Sequence, residues 1–398
     1  MVVAGGQRKQ RILCVFGTRP EAIKMAPVID ALAARPHDFA VSICVTGQHR
    51  RMLDQMLELF EIRPDFDLDV MTDGQTLTGI TCEVLRRLEP LLATERPDWV
   101  VVQGDTTTTY AAALAAFYAQ IPVAHVEAGL RSGSLDEPRP EEMNRRATDA
   151  ISELLFAPTE LAAANLLSEG VPPDRISVTG NTVVDAFKAV AARPFDLERT
   201  PLAGLPLEGK RTILATVHRR ENHGAAVSDI CLGLRAIAAN CPDVHLVIPV
   251  HLNPNVRGPV EAVLSNLENV SLVPPLEYPA LVWLLQRSEF VITDSGGLQE
   301  EAVGIGKQVL VLRDRTERME GVEAGLARLV GSDRGDLAWW AARLLYGLES
   351  MPPVTSTNLY GDGHAAERIA DRLARVAEPV AADELMERVH FASLYATA

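Results

Sequence analysis

No CxxC pair occurs in this chain, and its five cysteines (Cys14, Cys44, Cys82, Cys231 and Cys241) are odd in number. A disulfide framework is therefore excluded, and buried free thiols in a reducing compartment are expected. The nine histidines form no HExxH and no paired Cys/His set, so no metal site is expected. No GxSxG elbow is present to raise a serine nucleophile. No GxGxxG follows a strand and no GxxxxGK[ST] occurs, which removes the signatures of nicotinamide redox and P-loop chemistry; no cofactor is expected. No apolar run approaches the ~20 residues of a membrane span. Met1–Arg11 is polar and the apolar RILCVF is too short for a signal peptide, so the expectation is a cytoplasmic chain with no membrane partner. Excess positive charge is missing too. The formal charge of −15 argues against a nucleic-acid partner. Phosphate recognition must then rest on a few placed cations and backbone amides.

What is present is a rich core and a repeated alternation. Hydrophobic residues make up 47% and charged residues 23% of 398 positions, which fits two ordinary globular domains. Short apolar runs end in polar turns that open helices: Arg11–Phe16, Val41–Val45, Trp99–Val102, Pro122–Val126 and Leu154–Ala157 in the first half, then Thr212–Val217, Val244–Val250, Phe290–Thr293 and Val309–Leu312. Strands alternating with helices imply two Rossmann-like, doubly wound parallel sheets. The expected ligand site is the cleft between them. The Pro- and Gly-rich Phe187–Lys210 reads as the interdomain connection. The expected domains are residues 1–186 and 187–363, followed by a helix near 364–376 and a tail, 377–398.

The stretch from Trp99 to Arg146 concentrates the chemistry. Two adjacent strand–turn–helix units each carry a carboxylate, Asp105 and Glu127, just past a strand's C-terminal end, where open α/β sheets bind ligands. Glu141 and Glu142 follow at a helix start. Crowded carboxylates repel, so at least one is expected to rise toward neutrality and supply an acid beside a base. Arg19 and Lys24 stand at the first βα turn, where free helix amides attract anions. Ser295-Gly296-Gly297 follows an apolar strand and opens a helix, a phosphate cradle with Glu301 further along to meet a ribose diol. His218, at another strand end, completes the proton-handling candidates.

Ordered motifs carry a resemblance. They are GTRPEAIKMAPV (17–28), TGQH (46–49), GDTTTT (104–109), HVEAGLRSG (125–133), PEEMNR (140–145) and GNTVVDA (180–186), then HRREN (218–222), PVHLNPNV (249–256), TDSGGLQEEA (293–302), RDRTER (313–318) and YGDG (360–363). Together, from about Arg11 to Leu373, they closely resemble the non-hydrolysing bacterial UDP-N-acetylglucosamine 2-epimerases. The resemblance implies a glycosyltransferase-B type fold whose C-terminal helix packs back on the first domain. It also implies interconversion of UDP-GlcNAc and UDP-ManNAc without a cofactor, by anti elimination of UDP to 2-acetamidoglucal and re-addition on the other face.

Asp105, Glu127, Glu141 and His218 match the family's catalytic positions. Arg19 and Lys24 match its N-terminal cations, and His49 and Arg145 fall in substrate-binding motifs. Ser295, Gly296 and Gly297 match phosphate contacts, Glu301 the ribose contact and Arg318 a UDP-side arginine. Leu281 stands where relatives often place a Phe beside the uracil. Met319, Gly321, Gly304 and Gln308 also depart from the common pattern. Gln48, Arg219 and His251 match positions implicated in binding a second UDP-GlcNAc as an allosteric activator, although Arg51 replaces a Gln found in some relatives. A homodimer is implied. Alternative readings are an epimerase for another UDP-2-acetamido sugar such as a diacetamido-glucuronate, a hydrolysing 2-epimerase, a true glycosyltransferase, or a non-catalytic UDP-sugar sensor.

Overall fold

A computed structural model of the chain describes residues 8–47, 50–72, 74–348 and 358–375, without the side chains of residues 50 and 51. Gln48, His49, the Arg51 side chain and the tail 377–398 lie outside the described residues. Two compact units emerge. One runs to Ala186 and resumes at Gly361; the other spans Phe187–Tyr360.

The first unit alternates β1 (Gln10–Phe16), α1 (Arg19–Ala33), β2 (Phe39–Val45), α2 (Arg50–Leu59), β3 (Phe66–Asp67), α3 (Leu77–Glu95), β4 (Trp99–Gln103), α4 (Thr107–Tyr118), β5 (Val123–Val126), α5 (Glu141–Ile151), β6 (Leu154–Ala157), α6 (Glu160–Ser168), β7 (Ile176–Val178) and α7 (Thr182–Ala191). Its strands lie in the order β3-β2-β1-β4-β5-β6-β7, with parallel pairings throughout. Every residue of β4, β5 and β6 is buried, which is why they read as unbroken apolar runs: helices cover both faces. The strand order reverses direction between β1 and β4, so the loops after those two strands flank the switch point where such sheets bind ligands.

Two local signals define the helices there. Thr18 caps α1 in a reciprocal box with Glu21, and Thr106 caps α4 by accepting from the Thr109 N–H at 3.1 Å. Small buried residues on α4, from Ala111 to Ala116, let it pack closely against α3 and α5.

The second unit alternates β8 (Arg211–Thr216), α8 (Ala225–Asn240), β9 (Val244–Pro249), α9 (Pro254–Leu264), β10 (Val270–Val273), α10 (Tyr278–Arg287), β11 (Ser288–Thr293), α11 (Gly296–Gly304), β12 (Gln308–Val311), α12 (Met319–Glu323), β13 (Ala327–Leu329) and α13 (Arg334–Leu345). Its parallel sheet has the order β10-β9-β8-β11-β12-β13, the doubly wound pattern again, with the switch between β8 and β11. Its core is apolar, built on Ile213, Leu246, Phe290 and Ile292 against Ile230 and Leu234 of α8.

The last described helix, α14 (Ala365–Ala374), belongs to the first unit. The Ala366 N–H donates to Asp185 Oδ1 at 2.9 Å, Gln10 Nε2 donates to the Leu373 carbonyl at 3.0 Å, and Arg35 pairs with Asp371 at 2.5 Å.

Several local expectations change. Phe187–Lys210 is not simply a connecting loop, because α7 continues through Ala191 and a 3-10 turn forms at Leu197–Arg199. Cys14, Cys44, Cys231 and Cys241 are buried, but Cys82 is exposed on α3, where its helical face points away from Ile80, Val84 and Leu88. No helix among the described residues is long and apolar enough to cross a membrane.

Candidate active site

The loops after β1, β4 and β5 converge because those strands are neighbours. The register sets Gln103 of β4 opposite Val126 of β5, so the residues that follow, Gly104-Asp105 and Glu127, emerge side by side. Glu127 is buried and its backbone is in the left-handed region (φ 69°), a costly conformation for a residue with a Cβ. Its Oε2 accepts from Lys24 Nζ at 2.5 Å and from Gln103 Nε2. Asp105 is about a third exposed at 29%, and its Oδ2 pairs with Arg145, whose Nε lies 3.1 Å away. Asn144 Nδ2 donates to the Asp105 carbonyl at 2.9 Å.

Two expectations are corrected here. The carboxylates do not repel one another without relief, because each has its own cation, Lys24 for Glu127 and Arg145 for Asp105. Lys24, read as an anion-binding cation at the helix N-terminus, instead lies one turn and a half into α1 and is buried against Glu127. Arg19 does occupy the first position of α1.

The pair Glu141 and Glu142 also separates. Glu142 is fully buried, accepting from Arg145 Nη1 at 2.8 Å, Arg146 Nε at 2.9 Å and the Ser132 N–H at 3.1 Å. It is a structural anchor that aims Arg145 at Asp105. Glu141, one residue earlier at the start of α5, is only partly buried.

Three residues that sequence reasoning passed over hold these loops. Glu21 is buried; its Oε2 accepts from the Gly17 and Thr18 N–H groups at 2.9 and 2.7 Å, and its Oε1 from Thr106 Oγ1 at 2.5 Å. One carboxylate thereby ties the loop after β1 to the loop after β4. His125 and Asp149 lock the loop after β5, with His125 Nδ1 and Asp149 Oδ1 2.7 Å apart. Gly129 closes that loop at φ 86°, where an added Cβ would stand 2.3 Å from the Ala162 carbonyl oxygen. Gly129→Ala is expected to lower the unfolding free energy by about 2–4 kcal/mol through strain and clash together, measurable as a shifted urea midpoint at unchanged m-value.

The second unit assembles its own cluster at its switch point. Asp294, just after β11, is fully buried and accepts from the His218 and Arg219 N–H groups, both at 2.9 Å to Oδ2, and from Asn222 Nδ2 at 3.0 Å. Its Oδ1 lies 2.9 Å from His218 Nδ1. Burial pushes this carboxyl up, but the His218 ring and the two backbone N–H groups outweigh it and bring it down to about 2. An ionised Asp294 makes Nδ1 the donor and leaves Nε2 as the nitrogen that exchanges protons, on a side chain that is 41% exposed. His251 lies alongside, its ring centroid 6.2 Å from that of His218, and its Nδ1 accepts from the Asn253 N–H at 3.2 Å.

Ser295 is the N-cap of α11, so Gly296 and Gly297 offer first-turn amides. An added Cβ at Gly296 would lie 2.5 Å from Arg318 Nη1; glycine here is what admits the guanidinium. Arg318 is held by Glu300 at 2.9 Å and by Glu317. Glu301 accepts from the buried Tyr278 hydroxyl at 2.6 Å. Leu281 lies one turn along the same helix, α10, partly buried.

Comparison with known proteins places the chain in a family. The chain matches the family described as UDP-N-acetylglucosamine 2-epimerase over residues 30–374. It is 50% identical over 369 residues to the UDP-N-acetylglucosamine 2-epimerase of Escherichia coli K12, covering 91% of this chain and 98% of that one. The UDP-GlcNAc 2-epimerase of Neisseria meningitidis, solved bound to UDP-GlcNAc, superposes with a TM-score of 0.85 at 46% identity, covering 92% of this chain and 100% of that one. The Methanocaldococcus jannaschii UDP-GlcNAc 2-epimerase, solved with UDP-GlcNAc and UDP, gives 0.79 at 34% identity, covering 92% and 100%.

Proposed function

Because the chain belongs to the UDP-N-acetylglucosamine 2-epimerase family, we propose that it interconverts UDP-GlcNAc and UDP-ManNAc by anti elimination and re-addition of UDP, without releasing free sugar. A carboxylate takes the C2 proton, the C–H electrons become the C1=C2 double bond of 2-acetamidoglucal, and the C1–O bond breaks with its pair leaving on UDP. Return of UDP and protonation of C2 on the opposite face give the epimer. Two acid/base groups on different faces are required.

The observation that carries this reading is the pair of carboxylates, Asp105 and Glu127, on adjacent strand ends, each matched to a buried cation. Asp105, Glu127 and Glu141 are assigned to the proton at C2, and His218 handles a proton at Nε2. Ser295, the amides of Gly296 and Gly297, and Arg318 hold the diphosphate while it waits, with Arg19 as a further cation. Glu301, oriented by Tyr278, takes the ribose, and Leu281 gives the base an aliphatic wall. Arg219 and His251, both neighbours of His218, are assigned with Gln48 to a second UDP-GlcNAc. A homodimer belongs to the same proposal.

Proton NMR of the purified protein with UDP-GlcNAc in D2O, without acceptor or nicotinamide, tests it. A UDP-ManNAc anomeric signal is expected to grow to equilibrium with deuterium entering at C2. Free ManNAc with UDP would replace this reading by hydrolysis. An unchanged spectrum from folded, UDP-binding protein would move the substrate to a modified UDP-sugar or to transfer onto an acceptor.

A further inference from the structure

His125 lies wholly buried on β5, with acceptors at both ring nitrogens. Nε2 is 2.7 Å from the Gly104 carbonyl oxygen, and Nδ1 is 2.7 Å from Asp149 Oδ1. A peptide carbonyl can only accept, so Nε2 must carry a proton. The other end is decided by Asp149. Its Oδ2 accepts from the Gly129 N–H at 3.2 Å and from Arg131 Nη2 at 2.8 Å. Burial pushes its carboxyl up, but the charges and hydrogen bonds of His125 and Arg131 outweigh that and hold it below the usual carboxylate range. Facing an ionised carboxylate, Nδ1 must donate as well. The surrounding charges balance: His125 and Arg131 face Asp149 of α5 and Glu169 at the end of α6, which Arg131 grips at 2.8 and 2.6 Å. Arg146 of α5 adds its field at Glu169.

We propose that His125 is a positioning residue: a buried, doubly protonated imidazolium that fixes the Gly104 carbonyl and, through that peptide, the approach of Asp105. The backbone of Asp105 is then gripped on both sides, by His125 at the preceding carbonyl and by Asn144 at its own, while Arg145 holds the side chain. The ring that donates is wholly buried, so losing it leaves the half-buried Gly104 carbonyl without its partner.

The kinetic part of this inference rests on the epimerase reading; the protonation state does not. Histidine-selective 15N NMR of the folded full chain is expected to show both ring nitrogens of His125 protonated. In Asp149→Asn the amide can donate to Nδ1, so the expected spectrum keeps the Nε2 proton and loses the one on Nδ1. His125→Asn reaches only the Asp149 side and should lower kcat roughly 100-fold with KM within about twofold, the loss expected when a reacting group is misplaced. His125→Gln, whose amide reaches toward Gly104, should recover most of that loss. A neutral wild-type imidazole overturns the proposal. So does His125→Asn at wild-type kcat, or His125→Gln as impaired as His125→Asn. Wild-type protein inert toward UDP-GlcNAc but carrying the imidazolium would overturn the functional reading alone and leave the clamp standing.

Discussion

Glu127→Gln is expected to reduce epimerisation by roughly 10³-fold, within the range seen for loss of a general acid or base. The reason is specific to its surroundings. Lys24 and Gln103 both donate to Oε2 of Glu127, so the amide keeps the shape of the side chain while removing the charge that Lys24 faces. Binding of UDP, measured by calorimetry, should change little, because Glu127 is not among the nucleotide contacts proposed above. Asp105→Asn should be comparably impaired in kcat, because it removes a proposed acid/base at C2 and leaves Arg145 without the anion it is aimed at. The two variants then separate the proton-transfer roles. The residue that removes the C2 proton of UDP-GlcNAc must also govern deuterium exchange from that epimer, whereas the other must govern exchange from UDP-ManNAc. The double variant should be no worse than about tenfold below the poorer single one, since groups acting in one step are far from additive. A Glu127→Gln protein with near-wild-type turnover would remove this residue from the chemistry.

Much of the architecture could be read from local chemistry. Apolar runs such as Trp99–Val102 are strands because both faces of the sheet are covered, and Thr18 with Glu21 announces the start of α1 by its capping box. The carboxylates Asp105 and Glu127 were legible because they follow such runs directly. Their supports were not. Glu21 looks like an ordinary first-turn acid, yet its second oxygen reaches Thr106, 85 residues away. Asp149 sits in the last turns of α5 without any local signal, and only the β5–α5 packing turns it toward His125. Asp294 precedes a Ser-Gly-Gly cradle that draws attention to phosphate, but its partners His218 and Asn222 come from the other side of the switch point. Lys24 likewise meets Glu127 across 103 residues. Pairings between non-adjacent segments are set by sheet order, which no single stretch of sequence carries.

The sheet order also explains why one buried carboxylate should couple stability to turnover. In Asp294→Asn the neutral amide still accepts backbone N–H groups through its oxygen, but its nitrogen then points a donor at His218 Nδ1. The imidazole must switch its proton to Nε2, and the nitrogen left for catalysis is no longer a base. A fall in kcat of roughly 100-fold is expected, within the range for a lost general base, with UDP affinity preserved. Stability should change in a defined pH window. Asp294 falls from an ordinary 3.8 to about 2 in the folded chain, so its contribution is fully present above about pH 4 and is lost as pH drops through about 2. That shift corresponds to about 2 kcal/mol. Urea unfolding as a function of pH should therefore lose a steeper increment of stability between those values in the wild type than in Asp294→Asn. A variant with a wild-type acid profile would show that the His218–Asp294 contact contributes nothing to the fold. If kcat were also unchanged, His218 would have no claim on the reaction.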